Sequence, residues 1–162
     1  MIRRLAAVMA LAAIVNGAPL PLRVSVSCAT GSDPISEVVA ASKAIITAFG
    51  RDDPSTYFAL FDSAATFIFY TTPQRLESRA AYEKEWIAWR RDSGFRVRSC
   101  VSSDQRVQVL DDVAILSHFV RTEISTTQGG TTLYERETIV FHRREGKWIA
   151  VHEHLSPRPA TD

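Results

Sequence analysis

The chain has 162 residues, 46% of them hydrophobic, which suits one domain with a substantial core and is too short for two ordinary domains. Its 19 basic and 18 acidic residues give a formal charge of +1. This balance provides no electrostatic footprint for nucleic acid or for an anionic membrane, so we expect neither partner.

The first residues have the layout of a secretory signal. A basic segment, Met1 to Arg4, precedes an apolar run from Leu5 to Val15 and a small polar stretch that ends at Ala18. We expect residues 1–18 to be a signal peptide, with cleavage after Ala29 as the alternative, and the mature protein to be secreted or periplasmic. The apolar run is too short for a permanent anchor, so no integral membrane segment is expected after signal removal.

The two cysteines, Cys28 and Cys100, leave several interpretations open. Cys28 invites lipidation, although Ser25 stands where a lipoprotein signal usually has leucine. A disulfide between the two is possible in an exported protein. Cys100 also fits the role of a small buried apolar residue in a strand.

Three helices are predicted after a linker at residues 19–33. Ser32, Asp33 and Pro34 provide a cap and a first-turn proline for a helix that ends at Gly50. Asp53 and Pro54 cap a short second helix, a strand follows over residues 65–70, and Ser78 caps a third helix over residues 79–91.

The remaining chain predicts antiparallel strands joined by short turns. The strand-like segments cover residues 95–102, 105–110, 113–126, 131–143 and 147–155. Helices followed by an antiparallel meander define the α+β class. We expect one domain over residues 34–157 and a tail over residues 158–162.

The last hairpin carries the most specific pattern, Thr138-x-Val140-x-His142-Arg143-Arg144-Glu145-Gly146-Lys147-Trp148-x-x-Val151-His152-x-His154. It resembles the closing hairpin of the nuclear transport factor 2-like superfamily, above all the calcium/calmodulin-dependent kinase II association domain and the SnoaL-like domains. Tyr57-x-x-x-x-Asp62 and Val120-Arg121-Thr122 resemble further family segments. The resemblance implies a cystatin-like cone, in which a strongly curved antiparallel sheet wraps around three N-terminal helices and encloses a pocket.

Side-chain alternation along the strands sorts the polar residues by face. Ile149, Val151, Glu153 and Leu155 form the more apolar face of the last strand, and the set that contains Glu135 and Glu137 shares one face of the strand before it. The resemblance places Arg121 inside the pocket. The predicted pocket residues are Tyr57, Tyr70, Trp86, Arg121, Glu137 and Glu153.

These pocket residues allow two interpretations. Arg121 with Glu137 and Glu153 could bind a ligand or perform acid/base chemistry, or it could be a structural ion pair. The aromatic residues could equally be core. The resemblance implies three pocket arginines that bind small anions, but two of these positions hold Ile139 and Leu155. A mainly apolar ligand with one polar anchor is therefore expected.

The outer face of the sheet is expected to carry His118, Val140, Trp148, His152 and His154. The resemblance makes this face a homodimer interface. His152 and His154 could also begin a metal site with His118 or His142, but no carboxylate or cysteine completes a recognised spacing. We expect no metal and no cofactor.

Three functions fit the sequence. The preferred one is an exported SnoaL-like domain that dimerises through its sheet and holds a small, mainly apolar molecule. The second is an isomerase, cyclase or hydrolase, with Glu153 or Glu137 as general base, Arg121 orienting it and Tyr57 as a hydrogen-bond donor. The third is a purely structural oligomerisation module, since one fold hosts many functions.

Overall fold

The structure is a computed structural model that describes residues 33–159. The expected signal peptide, Cys28 and nearly all of the expected linker lie outside the described residues. The elements in chain order are α1 (Pro34–Gly50), α2 (Pro54–Ala59), β1 (Phe61–Phe69), α3 (Arg79–Ser93), β2 (Arg96–Leu110), β3 (Val113–Thr126), β4 (Gly129–Arg144) and β5 (Lys147–Pro157).

The helices begin at the capping residues that the sequence predicts. The side chain of Asp33 accepts hydrogen bonds from the first turn of α1, Asp53 does so for α2, and Ser78 for α3. Gly94 ends α3 with a φ of 67°, a left-handed conformation that glycine adopts without a steric penalty. The predicted starts of all three helices are confirmed.

The five strands form one curled, unclosed sheet in the order β1-β5-β4-β3-β2. Strands β2 to β5 are antiparallel neighbours, as the short turns predict. The α+β class is therefore confirmed. The expectation of a wholly antiparallel sheet is wrong in one place, because β1 runs parallel to β5.

Two strand boundaries also differ from the prediction. Strand β1 starts at Phe61 rather than at residue 65, and the two segments predicted over residues 95–110 form the single strand β2. The register of β2 against β3 shifts between Ser103 and Arg106, where Asp104 has a φ of 49°. This irregularity is the physical origin of the break that the sequence suggests.

A β-bulge in β5 decides which side chains point toward the helices. Val140 pairs with His152, but the next residue of β4, Phe141, pairs with Ala150, so Val151 is an extra residue in β5. Ala150 and Glu153 are consequently both buried. Strict alternation predicted that Ile149 and Val151 face inward together with Glu153. The prediction is wrong for Ile149 and Val151.

The core lies between the helices and the inner face of the sheet. It is rich in aromatic rings, and Tyr57 of α2 contacts the rings of Phe49, Phe61, Tyr82 and Trp86 at centroid distances of 5.1–6.1 Å. Rings at these separations add attraction to the burial of their apolar area. Among residues 33–159, no helix is long and apolar enough to cross a membrane.

Candidate functional site

Three glutamates point from the sheet toward the helices. Glu135 and Glu137 alternate along β4 and are each 6% exposed, while Glu153 of β5 is 2% exposed. Burying a carboxyl group costs free energy unless it is hydrogen bonded or protonated, so three in one apolar interior is unusual. This carboxyl cluster is the candidate functional site.

Glu153 and Glu137 form a coupled pair. The hydroxyl of Tyr57 donates a 2.9 Å hydrogen bond to Glu153 Oε2, and the two carboxyl groups are hydrogen bonded to each other. Burial raises the pKa of both above the usual carboxyl value, and the negative charge of Glu137 raises the pKa of Glu153 further. The pair therefore retains a proton at a pH at which ordinary carboxylates have lost theirs.

His118 lies beside this pair on the adjacent strand. Its Nε2 is 2.5 Å from Glu137 Oε2, without the alignment of a hydrogen bond, and its Nδ1 is 2.6 Å from the hydroxyl of Ser102. Burial lowers the pKa of His118 to about 4. The imidazole is therefore neutral near pH 7 and does not neutralise the carboxyl cluster.

Glu135 has a different partner. Burial raises its pKa, and a hydrogen bond from Tyr70 partly offsets this effect. Tyr70 itself is 44% exposed. Glu135 thus connects the buried pair with the surface of the domain.

Two cavities share four lining residues, and Glu135 is the only carboxyl group among them; the others are Phe49, Thr122 and Leu155. The inner chamber, about 20 Å³, is lined by all three glutamates, by Tyr57 and by apolar residues of α1. This volume holds about one water molecule. Glu137 and Glu153 are therefore enclosed rather than open to a large ligand.

The outer cavity is an apolar cleft of about 270 Å³. Its walls are mainly aromatic and aliphatic, and Glu135 lies in both its lining and that of the inner chamber. The aromatic wall residues are Phe49, Phe69, Tyr82, Trp89 and Phe95. A cleft of this size and composition, with one carboxyl group at its inner end, is suited to a small organic molecule.

The structure corrects the predicted place of Arg121. This side chain is 45% exposed and forms a 2.6 Å ion pair with Glu123 on the outside of the sheet. The register pairs His118 with Glu137, so the even-numbered residues of β3 share the inner face with Glu137. The expectation that Arg121 lies inside the pocket is therefore wrong, because the odd-numbered residues of β3 form the outward face.

The same register corrects the place of His118, which was expected on the outer face and is 3% exposed inside the domain. Trp148 also leaves the predicted outer set, because its Nε1 donates a 3.0 Å hydrogen bond to Glu37 of α1. The bulge at Val151 explains the position of Trp148. Because Val151 is an extra residue, the residues of β5 before it face the opposite way from the one that strict alternation predicts. Val140, His152 and His154 remain on the outer face.

The other predicted pocket residues are divided among several environments. Tyr57, Glu137 and Glu153 line the inner chamber, whereas Trp86 lies in the aromatic core and lines neither this chamber nor the cleft. The predicted list of pocket residues omitted Glu135, although alternation along β4 had placed it on the face of Glu137, and it omitted most of the cleft walls. Glu135 could have been found, because it shares the face of Glu137 on the same strand.

Cys100 lines the inner chamber, and burial raises the pKa of its thiol to about 12. It therefore stays protonated and unreactive as a nucleophile near neutral pH. Within residues 33–159, no group of three or more histidine, cysteine, aspartate or glutamate side chains is placed to hold a metal ion.

Comparison with known proteins identifies the family. Residues 35–159 match the sequence profile described as the calcium/calmodulin dependent protein kinase II association domain. The chain belongs to this association-domain family. No curated protein matches the chain.

Solved structures confirm the fold of this association domain. A putative association domain from Xanthomonas campestris is 20% identical, with a TM-score of 0.64 over 77% of this chain and 88% of that one. A ketosteroid isomerase-like protein from Erwinia carotovora atroseptica is 16% identical, with a TM-score of 0.67 over 80% of this chain and 100% of that one. An NTF2-like protein from Cytophaga hutchinsonii is 13% identical, with a TM-score of 0.67 over 78% and 99%.

This association domain differs from the arginine-lined pocket that the sequence resemblance implies. Arg121 faces away from the cavities, and Ile139 and Leu155 occupy the other two positions. Neither the chamber nor the cleft has a lysine or arginine in its lining. Small anions therefore lack a cationic partner in these cavities.

Proposed function

We propose that this association domain binds a small, mainly apolar molecule in the cleft, with the polar end of the molecule against Glu135. The carboxyl group of Glu135, placed where the apolar cleft meets the buried chamber, is the observation that carries this proposal. The aromatic walls supply apolar contact area, and a single polar group fixes orientation.

A ligand screen tests this proposal, because a molecule that binds only the folded state raises the melting temperature. Apolar compounds with one polar end should give the largest shifts. Leu133→Trp should reduce these shifts, since Leu133 lines the cleft and a larger ring would fill it. Leu110→Trp is the matched control, because Leu110 is exposed at the end of β2.

The structural alternative predicts a different result. If the cavities are only imperfect packing, a broad library will give no stabilisation, and Leu133→Trp will change the melting temperature without affecting any ligand. That outcome would favour a purely structural oligomerisation module.

A second candidate function is acid/base catalysis of the isomerase, cyclase or hydrolase type. The hydrogen bond from Tyr57 to Glu153, together with the coupled carboxyl of Glu137, supports it. A carboxyl whose pKa is raised toward neutrality can take and return a proton, and Tyr57 stays protonated because burial raises its pKa as well. The orienting role expected for Arg121 is dropped, because Arg121 lies outside.

Deuterium exchange separates catalysis from binding. A ligand such as 4-phenyl-2-butanone fits only the cleft, so in this candidate function Glu135, which lines both cavities, passes protons between the ligand and the enclosed Glu153. The α-carbon protons of 4-phenyl-2-butanone should then exchange with D2O faster in the presence of the wild-type protein than with Glu153→Gln, as followed by NMR. Equal rates with the two proteins would leave binding as the function. Glu123→Gln, on the outer face, serves as the control for the loss of one carboxyl group.

We also propose a homodimer formed through the outer face of the sheet. Val140 pairs with His152 across β4 and β5, and Ile68 of β1 pairs with His154 next to them. Ile68 is 39% exposed, and His154 is exposed. Exposed apolar and imidazole groups on the outer face of a sheet suit an interface between copies.

Export to the periplasm or the exterior remains a proposal, supported by the basic, apolar and small order of Met1 to Ala18. Intact-mass measurement of the protein from its native host tests it. A mass that lacks residues 1–18 or 1–29 supports export, and retention of Met1 contradicts it.

A further inference from the structure

The two cavities are lined by acidic side chains but by no lysine or arginine. Three carboxyl groups line the chamber, and one of them, Glu135, also lines the cleft, but no lysine or arginine side chain lines either cavity. The aromatic residues of the cleft present π faces and edges rather than charges. Any charged group that enters will therefore meet only negative or neutral partners.

The titratable groups around Glu135 come from every element packed against it, and none provides a cation near pH 7. They are Glu137 of β4, Glu153 of β5, His118 of β3, Cys100 of β2, Tyr57 of α2, Tyr82 of α3 and Tyr70, which follows β1. Burial keeps His118 neutral, since its pKa is lowered to about 4. The carboxyl cluster thus has no resident counter-charge.

One oxygen of the cluster also lacks a hydrogen-bond partner. Oε2 of Glu137 is buried and accepts no hydrogen bond from the described residues, although Nε2 of His118 lies 2.5 Å away in poor alignment. Glu137 is 6% exposed and lines the chamber behind Glu135. An unsatisfied buried carboxyl oxygen is costly, and positive charge brought near the cluster would offset part of that cost.

We propose that the cleft takes a lipophilic amine in its protonated form, with the ammonium group against Glu135 and the hydrocarbon part between the aromatic walls. This inference rests on the proposed binding function and specifies the class of ligand. An ammonium group would supply the missing counter-charge and up to three hydrogen-bond donors.

The walls of the cleft favour the same class. Trp89 and Phe95 lie with ring centroids 5.9 Å apart, and Tyr82 is 6.0 Å from Trp89. These rings provide apolar contact area for the hydrocarbon part of the ligand. A carboxylate ligand would instead face Glu135 without a compensating cation.

The proton balance distinguishes an amine from a neutral ligand. Burial raises the pKa of Glu135, so its carboxyl group keeps its proton to a higher pH than an exposed glutamate does. An ammonium ion binds the ionised carboxylate, and the carboxyl proton leaves to solvent. A neutral hydrogen-bond acceptor binds the protonated carboxyl and retains that proton. The two ligand classes therefore have opposite pH dependence.

Three probes with the same phenylbutyl skeleton test the proposal, namely 4-phenylbutylamine, 4-phenylbutan-1-ol and 4-phenylbutyrate. Titration calorimetry with the full protein from about pH 5.5 to 8 keeps the amine protonated, because aliphatic amines titrate near pH ~10. We expect the amine to bind most tightly, with an affinity that rises with pH and with protons released to buffer. The butyrate should bind most weakly.

Two variants assign the site. Glu135→Gln keeps the size of the side chain and removes its charge, and it should weaken amine binding about tenfold or more, which corresponds to about 1.4 kcal/mol. It should change alcohol binding much less. Glu123→Gln, on the outer face, should leave both affinities unchanged. Circular dichroism and the melting temperature check that each variant is folded.

The outcomes separate this inference from the proposed function. Binding of the alcohol but not of the amine would overturn the inference and leave apolar ligand binding intact. Amine binding that weakens as pH rises, or that Glu135→Gln does not affect, would also overturn it. Failure of all three probes to bind would contradict both proposals. The pH dependence is measured on the wild-type protein, so it stands even if Glu135→Gln fails to fold.

Discussion

Tyr57 and Glu153 lie 96 positions apart in the chain, yet the hydroxyl of Tyr57 donates a 2.9 Å hydrogen bond to Glu153 inside the core. This bond ties the second helix to the last strand. It also favours the ionised form of Glu153, against the effect of burial.

Removal of that donor should destabilise the domain. Tyr57→Phe leaves the aromatic ring in place and deprives Glu153 of a buried partner, which we expect to cost about 1–3 kcal/mol of unfolding free energy. Urea unfolding measures this cost. Tyr134→Phe is the control, since Tyr134 lies beside the exposed Arg121 on the outer face and should cost less. Equal losses of unfolding free energy in the two variants would show that the hydrogen bond from Tyr57 to Glu153 contributes no additional stability.

The carboxyl pair should make stability depend on pH. Burial raises the pKa of Glu137 above its usual 4.5, so the folded state binds more protons than the unfolded state just above that pH. The stabilising contribution is complete below pH 4.5 and is lost as pH rises through the folded pKa, by about 1.4 kcal/mol per unit of pKa shift. Glu137→Gln should therefore gain stability relative to the wild type as pH rises.

Urea unfolding at a series of pH values measures this effect for the wild type and for Glu137→Gln. Glu145→Gln, in the exposed turn between β4 and β5, is the control and should run parallel to the wild type. A constant difference between Glu137→Gln and the wild type would contradict the assignment.

The contribution of His118 to stability should depend on pH in the opposite direction to that of Glu137. Burial lowers its pKa from 6.5 to about 4, so its contribution to stability is present above pH 6.5 and is lost as pH falls through about 4. NMR titration of the imidazole Cε1 proton should give a midpoint well below the usual imidazole value of 6.5. A midpoint near 6.5 would instead mean that His118 is solvated or paired with an ionised Glu137.

Arg121→Leu should have little effect on stability. The side chain lies on the outer face and pairs with Glu123, another partly exposed residue, and such pairs are weak because solvent screens them. The thermal midpoint should stay within the error of calorimetry. A large loss of stability would contradict the outward orientation of Arg121 and restore the ion-paired pocket expected from sequence.

The proposed dimer should depend on pH and on the outer face. Protonation of His152 should weaken association, because burying a charged imidazole in the interface is unfavourable, and partial burial lowers the pKa of His152 below its usual value. Val140→Glu should produce a monomer by light scattering, whereas Ile87→Glu, at an exposed position of α3, should not. A wild-type monomer at tens of micromolar, roughly the range that a standard interface withstands, would refute the dimer.

Local signals predicted most of the fold. Capping residues such as Asp33, Asp53 and Ser78 act within one helical turn, and the turn at Glu145 and Gly146 joins adjacent strands, so a short stretch of sequence contains the whole cause. The parallel pairing of β1 with β5 has no such local cause. It depends on where the finished sheet leaves a free edge.

The site was predicted only in part, because its faces depend on register. Glu137 and Glu153 were placed correctly on the inner face by alternation, but one extra residue at Val151 exchanges the faces of β5 on one side of the bulge. Arg121 and His118 were exchanged because the pairing of β3 with β4 was not fixed by the residues themselves. A one-residue change in register moves every side chain of a strand to the other face.

The parallel pairing of β1 also sets an order of events during synthesis. Thr66 of β1 contacts His152, which lies 86 positions later in the chain. At translation rates of about 5–20 residues per second, β1 waits roughly 4–17 s for its partner to be made. During that interval Phe67 and Phe69 have no strand beside them, so the nascent chain exposes an apolar edge that is prone to aggregation until β5 leaves the ribosome.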